Sequence, residues 1–187
     1  MSRIAICLAA AIAGLTLAAP AQAATDDHTT LTGPQVKRIQ QKRQPTPAWK
    51  TALAFAMKKR GIPYVWGGAS DNGYDCSGLM LRAYKHAGIE LPRTAAQQYN
   101  AFSRKISWDE LKSGDLVFFH GLGHVGMISR PGYMVHAPRT GDVVKEERLS
   151  GWRRQSFVGA VRPDPKGVRL SIEQRKTPAP SMFTATL

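Results

Sequence analysis

The chemistry this sequence is best equipped for is nucleophilic, and it centres on Cys76 in the run Gly73-Tyr74-Asp75-Cys76-Ser77-Gly78-Leu79. Beyond Cys76 the apolar residues Leu79, Met80, Ala83, Tyr84 and Ala87 recur at helical spacing, and Gly88 supplies a stop. The thiol is therefore predicted in the first turn of a helix. Unpaired backbone N–H groups and the positive end of the helix dipole favour a thiolate there, which predicts a lowered thiol pKa. A free cysteine is otherwise among the residues most often buried as a small hydrophobe. The polar, turn-forming Asp-Cys-Ser-Gly context favours the nucleophile.

A catalytic thiol needs a base within hydrogen-bond reach and a third group that fixes the base's tautomer. Five histidines are available. His28 falls in a polar arm, and His86 lies near the far end of the nucleophile helix, too distant to reach back to its start. His124 and His136 each fall on a predicted strand, the two joined by a single turn at Pro131-Gly132. Paired as a hairpin, these strands bring the imidazoles together above the helix carrying Cys76, with His124 as base and His136 as orienting group. His120, beside a glycine-rich loop, is the rival base.

Helices come first and strands after them. Thr46-Pro47 reads as an N-cap followed by proline at the first helical position, opening a helix through Trp49, Leu53, Ala56 and Met57 that Gly61 and Pro63 end. Tyr64-Val65-Trp66-Gly67-Gly68 follows, where paired glycines beside aromatics imply a backbone passing close to the nucleophile helix or to a substrate chain. Thr94 and Gln97 have capping-box spacing and start a further short helix. Arg93, just before it, either faces the cleft or is a surface arginine. Strands are predicted at 116–119, 124–128, 133–137, 143–146 and 157–162, joined by hairpin-length turns. The layout is α+β, with an antiparallel sheet of about five strands. From Asp164 the tail, with Pro165, Pro178 and Pro180, has little to bury and is expected to be mobile or loosely docked.

The opening residues read as an export signal: Arg3, then a run from Ile4 to Ala19 that is nearly all apolar, then Pro20-Ala21-Gln22-Ala23 with a small-x-small ending. Cleavage after Ala23 removes Cys7 and leaves Cys76 as the single thiol, so no internal disulfide is expected. The apolar run is too short for a comfortable membrane span, and Cys7 is not placed for a lipid anchor. The resulting division is a signal at 1–23, a flexible basic arm at 24–45 with a short helix around Val36 and Ile39, one domain at 46–163, and a tail at 164–187. The 187 residues carry a formal net charge of +13, which implies an anionic setting. The charge is spread along the chain, unlike the aromatic-lined groove of a single-strand binder, so nucleic acid is not the expected partner.

Six motifs in order carry a family resemblance: Pro63-Tyr64-Val65-Trp66-Gly67-Gly68, Asp75-Cys76-Ser77-Gly78-Leu79, Leu91-Pro92-Arg93, Gly114-Asp115-Leu116-Val117-Phe118-Phe119, His124-Val125-Gly126-Met127-Ile128 and His136-Ala137-Pro138. From Pro47 to Pro163 the chain resembles the NlpC family of cell-wall cysteine peptidases, a papain-like group. That resemblance implies an endopeptidase that cuts peptidoglycan stem peptides, between D-glutamate and a diamino acid or at the cross-link. By motif, Cys76 is the nucleophile, His124 the base and His136 the third member. Tyr64 matches a tyrosine that helps hold the oxyanion, and Asp75 and Ser77 match positions that contact the stem peptide. Trp66 and Arg93 join them as substrate-side residues. Ala95 departs from the pattern, which often has Ser or Thr there, so one polar substrate contact is missing.

The expected reaction is attack by the Cys76 thiolate on a stem-peptide carbonyl, with a thioester acyl-enzyme released by water. No metal or other cofactor is implied. The expected partners are peptidoglycan stem peptides, with electrostatic association to an anionic envelope, no transmembrane anchor, and a monomer favoured. The expected location is the periplasm or cell wall, or outside the cell. Other readings stay open: a wall-binding module without turnover or awaiting a partner, a hydrolase acting on the glycan–peptide amide or on a lipid ester, and a secreted toxin using the same chemistry.

Overall fold

Residues 32–33 and 46–176 are described by the structure, a computed structural model of the chain. The export signal expected at 1–23, most of the arm at 24–45 with its expected short helix, and residues 177–187 lie outside the described residues.

Two helices open the fold. α1 (Ala48–Lys58) buries Ala52 and Ala56 against α2 (Cys76–His86), which buries Leu79, Met80, Ala83 and Tyr84 on its inner face. Between them a two-stranded ribbon, β1 (Ala69–Ser70) with β2 (Gly73–Tyr74), turns the chain into α2. α3 (Ala95–Asn100) begins with the expected capping box, in which Thr94 accepts from the Gln97 backbone and Gln97 reaches back to the Thr94 backbone. A short 3-10 turn (Trp108–Glu110) then leads into the sheet.

The sheet is antiparallel, in the order β6 (Lys145–Arg148), β5 (Tyr133–His136), β4 (His124–Arg130), β3 (Leu116–Phe119), β7 (Phe157–Val161). β3 is buried at every position, as a continuously apolar run predicts for a strand covered on both faces. Leu116 and Phe118 face the helices with Val125, Met127 and Val135, whereas Val117 and Phe119 face the other way with Ile128, Met134 and Ala160. Complete burial of such side chains contributes about 1.5–3 kcal/mol each, so the sheet is held from both sides. The outer face is covered in part by α4 (Gly151–Gln155). The fourth predicted strand runs two residues later than expected: Val143 forms only an isolated bridge with Pro63, and β6 starts at Lys145.

Two expectations at the ends of the domain are corrected. Thr46 does not cap α1. Pro47 is the N-cap residue, and the Trp49 N–H donates to Asp164 Oδ2 at 3.1 Å. Asp164 Oδ1 accepts from the Gly167 N–H at 2.9 Å, so a single carboxylate closes the first turns of two helices. The second of these is α5 (Pro165–Lys176), where the tail was expected to have little to bury. Val168 and Ser171 are buried, and the indole N–H of Trp49 donates to Ser171 Oγ at 3.3 Å. The stabilising partner is remote in sequence, which is why local composition misses it.

Candidate active site

Asp75 sets the start of α2. Its Oδ1 accepts from the Gly78 N–H at 2.6 Å, an N-cap that fixes Cys76 as the first helical residue. The remaining capacity of the carboxylate is also used: Oδ2 accepts from the Gly67 N–H at 3.0 Å, and Arg93 binds both oxygens, at 3.0 and 2.6 Å. Arg93 also donates to Ser77 Oγ at 3.0 Å. Gln98, fully buried, donates to the Ser77 carbonyl at 3.0 Å. The backbone before the ribbon passes so close to α2 that a Cβ on Gly78 would lie 2.1 Å from the Gly68 carbonyl oxygen. Only glycine fits there, so the paired-glycine segment and α2 are locked together.

Cys76 opens into a cavity of about 890 Å³ that is also lined by Tyr64, Trp66, His124, Arg139 and Trp152. Asp75, Ser77, Arg93 and Ala95 contribute to the same wall. Trp66 is 85% exposed, a large apolar ring left in solvent at the mouth. The cavity wall therefore holds Tyr64, Trp66, Asp75, Cys76, Ser77, Arg93 and His124, whereas His136 lies fully buried behind His124.

The two histidines meet through strand register. His124 begins β4 and His136 ends β5, so the antiparallel pairing sets them at the same end of the sheet. His124 Nε2 lies 2.9 Å from His136 Nδ1, with the rings crossing at 78°. Gly126, which follows His124 by two on the same face, makes room: a Cβ there would meet Met134 Sδ at 2.8 Å and the His136 Cβ at 3.3 Å. The imidazoles do not sit above α2 as expected. Alternation puts His124 on the face of its register partner Phe119, and it is its place at the strand end that opens it to the cavity.

His120 lines the cavity but is exposed, its ring 5.0 Å from that of Trp152. Unlike His124, it has no side chain hydrogen-bonded to it among the described residues that would fix a tautomer. His86 stacks on Phe55 at 5.1 Å, at the far end of α2.

Two residues that the sequence reading passed over complete the arrangement. His136 Nε2 lies 3.2 Å from Glu147 Oε2, and Arg153 Nε donates to Glu147 Oε1 at 2.9 Å. The pattern-based strand ended at 146, one residue short of Glu147, and nothing in the run Arg153-Arg154 distinguishes the buried arginine from its exposed neighbour.

Electrostatics reverse one expectation. Burial pushes the Cys76 thiol above its ordinary pKa, and the N–H groups of Val125, Ser77 and Cys76 itself offset this only in part. The dipole at the helix start does not outweigh desolvation. Burial takes His124 down to about 3, helped by the positive charge of the groups around it, and His136 down to about 4. Burial thus works in the same direction on all three groups, against the charged form of the thiol and of both imidazoles. Burial raises the Tyr64 phenol, and the neighbouring Cys76 and Asp75 raise it further, so its hydroxyl remains a donor.

A helix opening on a cysteine, packed on an antiparallel sheet with a histidine at the head of one strand, is the papain-like architecture. The chain belongs to the NlpC/P60 family, whose profile matches residues 61–162. It is 42% identical over 125 residues to the murein DD-endopeptidase MepH of Escherichia coli, covering 62% of this chain and 46% of the relative. It is 39% identical over 112 residues to the bifunctional muramidase/DL-endopeptidase CwlT of Bacillus subtilis, covering 56% and 34%. The chain thus spans less than half the length of either relative. Among solved structures, an NlpC/P60 family protein from Bacillus cereus superimposes with a TM-score of 0.59 at 34% identity, covering 65% of this chain and 42% of the other.

Proposed function

We propose that this chain is a cysteine peptidase that hydrolyses the stem peptides of peptidoglycan, with Cys76 as nucleophile, His124 as base and His136 as the group that orients it. The observation that carries the reading is the 2.9 Å contact between His124 Nε2 and His136 Nδ1, at the edge of the cavity into which Cys76 opens. That contact leaves His124 Nδ1 as the nitrogen available to the thiol.

Burial opposes the charged forms of both the thiol and the imidazole, so in this reading the proton moves as substrate engages. His124 takes the thiol proton while sulfur attacks the stem-peptide carbonyl. The N–H groups at the start of α2 and the Tyr64 hydroxyl receive the oxyanion. Imidazolium then protonates the leaving amine, and water activated by the same imidazole hydrolyses the thioester. Asp75 and Ser77, tied to one another and to Arg93, hold this wall of the cleft rigid, with Arg93 partly open to substrate carboxylates. Trp66 offers an exposed ring to the chain passing over the cleft.

The named relatives act on DD and DL bonds, and both stem-peptide bonds are candidates here. Export by residues 1–23 and a net charge of +13 suit work within an anionic envelope. No helix among the described residues is long and apolar enough to cross a membrane. Mass spectrometry of defined monomeric and cross-linked muropeptides identifies the bond. Fragments split within the stem support the proposal, release of intact stem from glycan replaces it with an amidase, and binding without any cleavage replaces it with a wall-binding module.

A further inference from the structure

Beyond the cysteine and two histidines, a polar line crosses the outer face of the sheet from His124 through His136 and Glu147 to Arg153, buried at the histidines and the arginine and half-buried at Glu147. Its contacts are 2.9 Å between the imidazoles, 3.2 Å from His136 to Glu147, and 2.9 Å from Arg153 to Glu147. Register builds it: Met134 pairs with Glu147 and His136 with Lys145, so Glu147 stands diagonally across from His136 on the same face. α4 lowers Arg153 onto this face, where it is 6% exposed and lies over the Phe119 and Trp152 rings. The other nearby cation, Lys145, is engaged by Asp142 at 2.6 Å.

We infer that Glu147, held by Arg153, is a positioning residue that fixes the tautomers of both histidines and thereby leaves His124 Nδ1 unprotonated for the thiol. The inference rests on the reading of Cys76, His124 and His136 given above. A carboxylate can only accept, so His136 Nε2 must carry a proton. Neutral His136 then has its lone pair on Nδ1, which must accept from His124 Nε2–H. Neutral His124 is left with its lone pair on Nδ1. One acceptor at the end of the line therefore sets every proton along it, as carboxylates behind metal-bound histidines do. Burial pushes Glu147 up, but Arg153 and the other positive groups around it outweigh this and keep it ionised. When His124 becomes imidazolium during turnover, the same carboxylate opposes the new charge through His136.

The test compares Glu147→Ala and Glu147→Gln with the wild-type protein, by the ring 15N shifts of the histidines at pH 7 and by steady-state kinetics on muropeptides. Wild type should show His124 and His136 as Nε2–H tautomers. Glu147→Ala should mix the tautomers and lower kcat about 10- to 100-fold with KM within about twofold. Glu147→Gln keeps an acceptor without charge, so it should retain the tautomers and lose about 3- to 10-fold in kcat. In a His136→Asn background, where Glu147 has no ring to orient, adding Glu147→Ala should change kcat less than about twofold, whereas a merely structural glutamate would cost the same in both backgrounds. Wild-type tautomers and wild-type kcat in Glu147→Ala would overturn the inference. If that variant does not fold, an unchanged kcat in Glu147→Gln does so. Should the wild type cleave no muropeptide, the ring shifts alone still decide between fixed and mixed tautomers, while the proposed activity fails separately.

Discussion

His124 Nε2 and His136 Nδ1 face one another at 2.9 Å, although twelve residues and a tight turn separate them in the chain. The pair is possible because Gly126 leaves the space beside His136 empty and because both residues stand at the same end of neighbouring antiparallel strands. Burial opposes protonation of both rings.

That burial makes stability sensitive to acid. The folded values of about 3 and about 4 lie below the ordinary 6.5, so below pH 6.5 the unfolded chain binds protons the folded one refuses. Stability should be flat with respect to these groups above pH 6.5, fall as pH drops through the window, and level off below about 3. Each histidine adds a slope of up to about 1.4 kcal/mol per pH unit. Thermal unfolding between pH 7 and 4 measures it. His136→Asn should show a shallower fall than wild type, and an equal slope would contradict the assignment.

In the proposed mechanism Tyr64→Phe removes one oxyanion donor and little else, since the ring can stay in place. It should lower kcat about 100- to 1,000-fold with KM nearly unchanged. A loss confined to KM would mean that the hydroxyl binds substrate and does not act on the oxyanion.

Asp75 holds the local structure together, whatever it contributes to substrate binding. Asp75→Ala removes the α2 cap, the acceptor for Gly67 and the partner of Arg93 together. Urea unfolding should show a loss of about 2 kcal/mol or more, with activity falling alongside. Native stability in this variant would refute the structural part of the role.

Asp164→Ala probes the carboxylate shared by α1 and α5. It should cost about 1–3 kcal/mol in unfolding free energy while kcat stays at the wild-type value, because the cap lies away from the cavity. A large kcat loss at unchanged stability would link α5 to the cleft.

The parts of the molecule legible in the sequence are those set by short-range pattern. α2 is marked by its apolar spacing and by the turn before Cys76, β3 by four consecutive apolar residues, and α3 by Thr94 and Gln97. His124 and His136 were legible because a hairpin relates them by a single turn. What stayed hidden depends on distant partners. Asp164 caps a helix 115 residues earlier, and Glu147 earns its place only once register sets it across from His136. The thiol shifts against the direction that the helix dipole favours, because the dipole is local to the helix whereas burial depends on the packed fold around it. Likewise, the face on which the imidazoles lie follows from alternation counted through the whole sheet.

The most direct test of the central claim is hydrolysis of defined muropeptides by the wild-type protein and by Cys76→Ala, read by product mass, with the fold of both confirmed by thermal unfolding. The account predicts stem-peptide cleavage by the wild type and almost none by the folded variant. Equal cleavage by both proteins would contradict it.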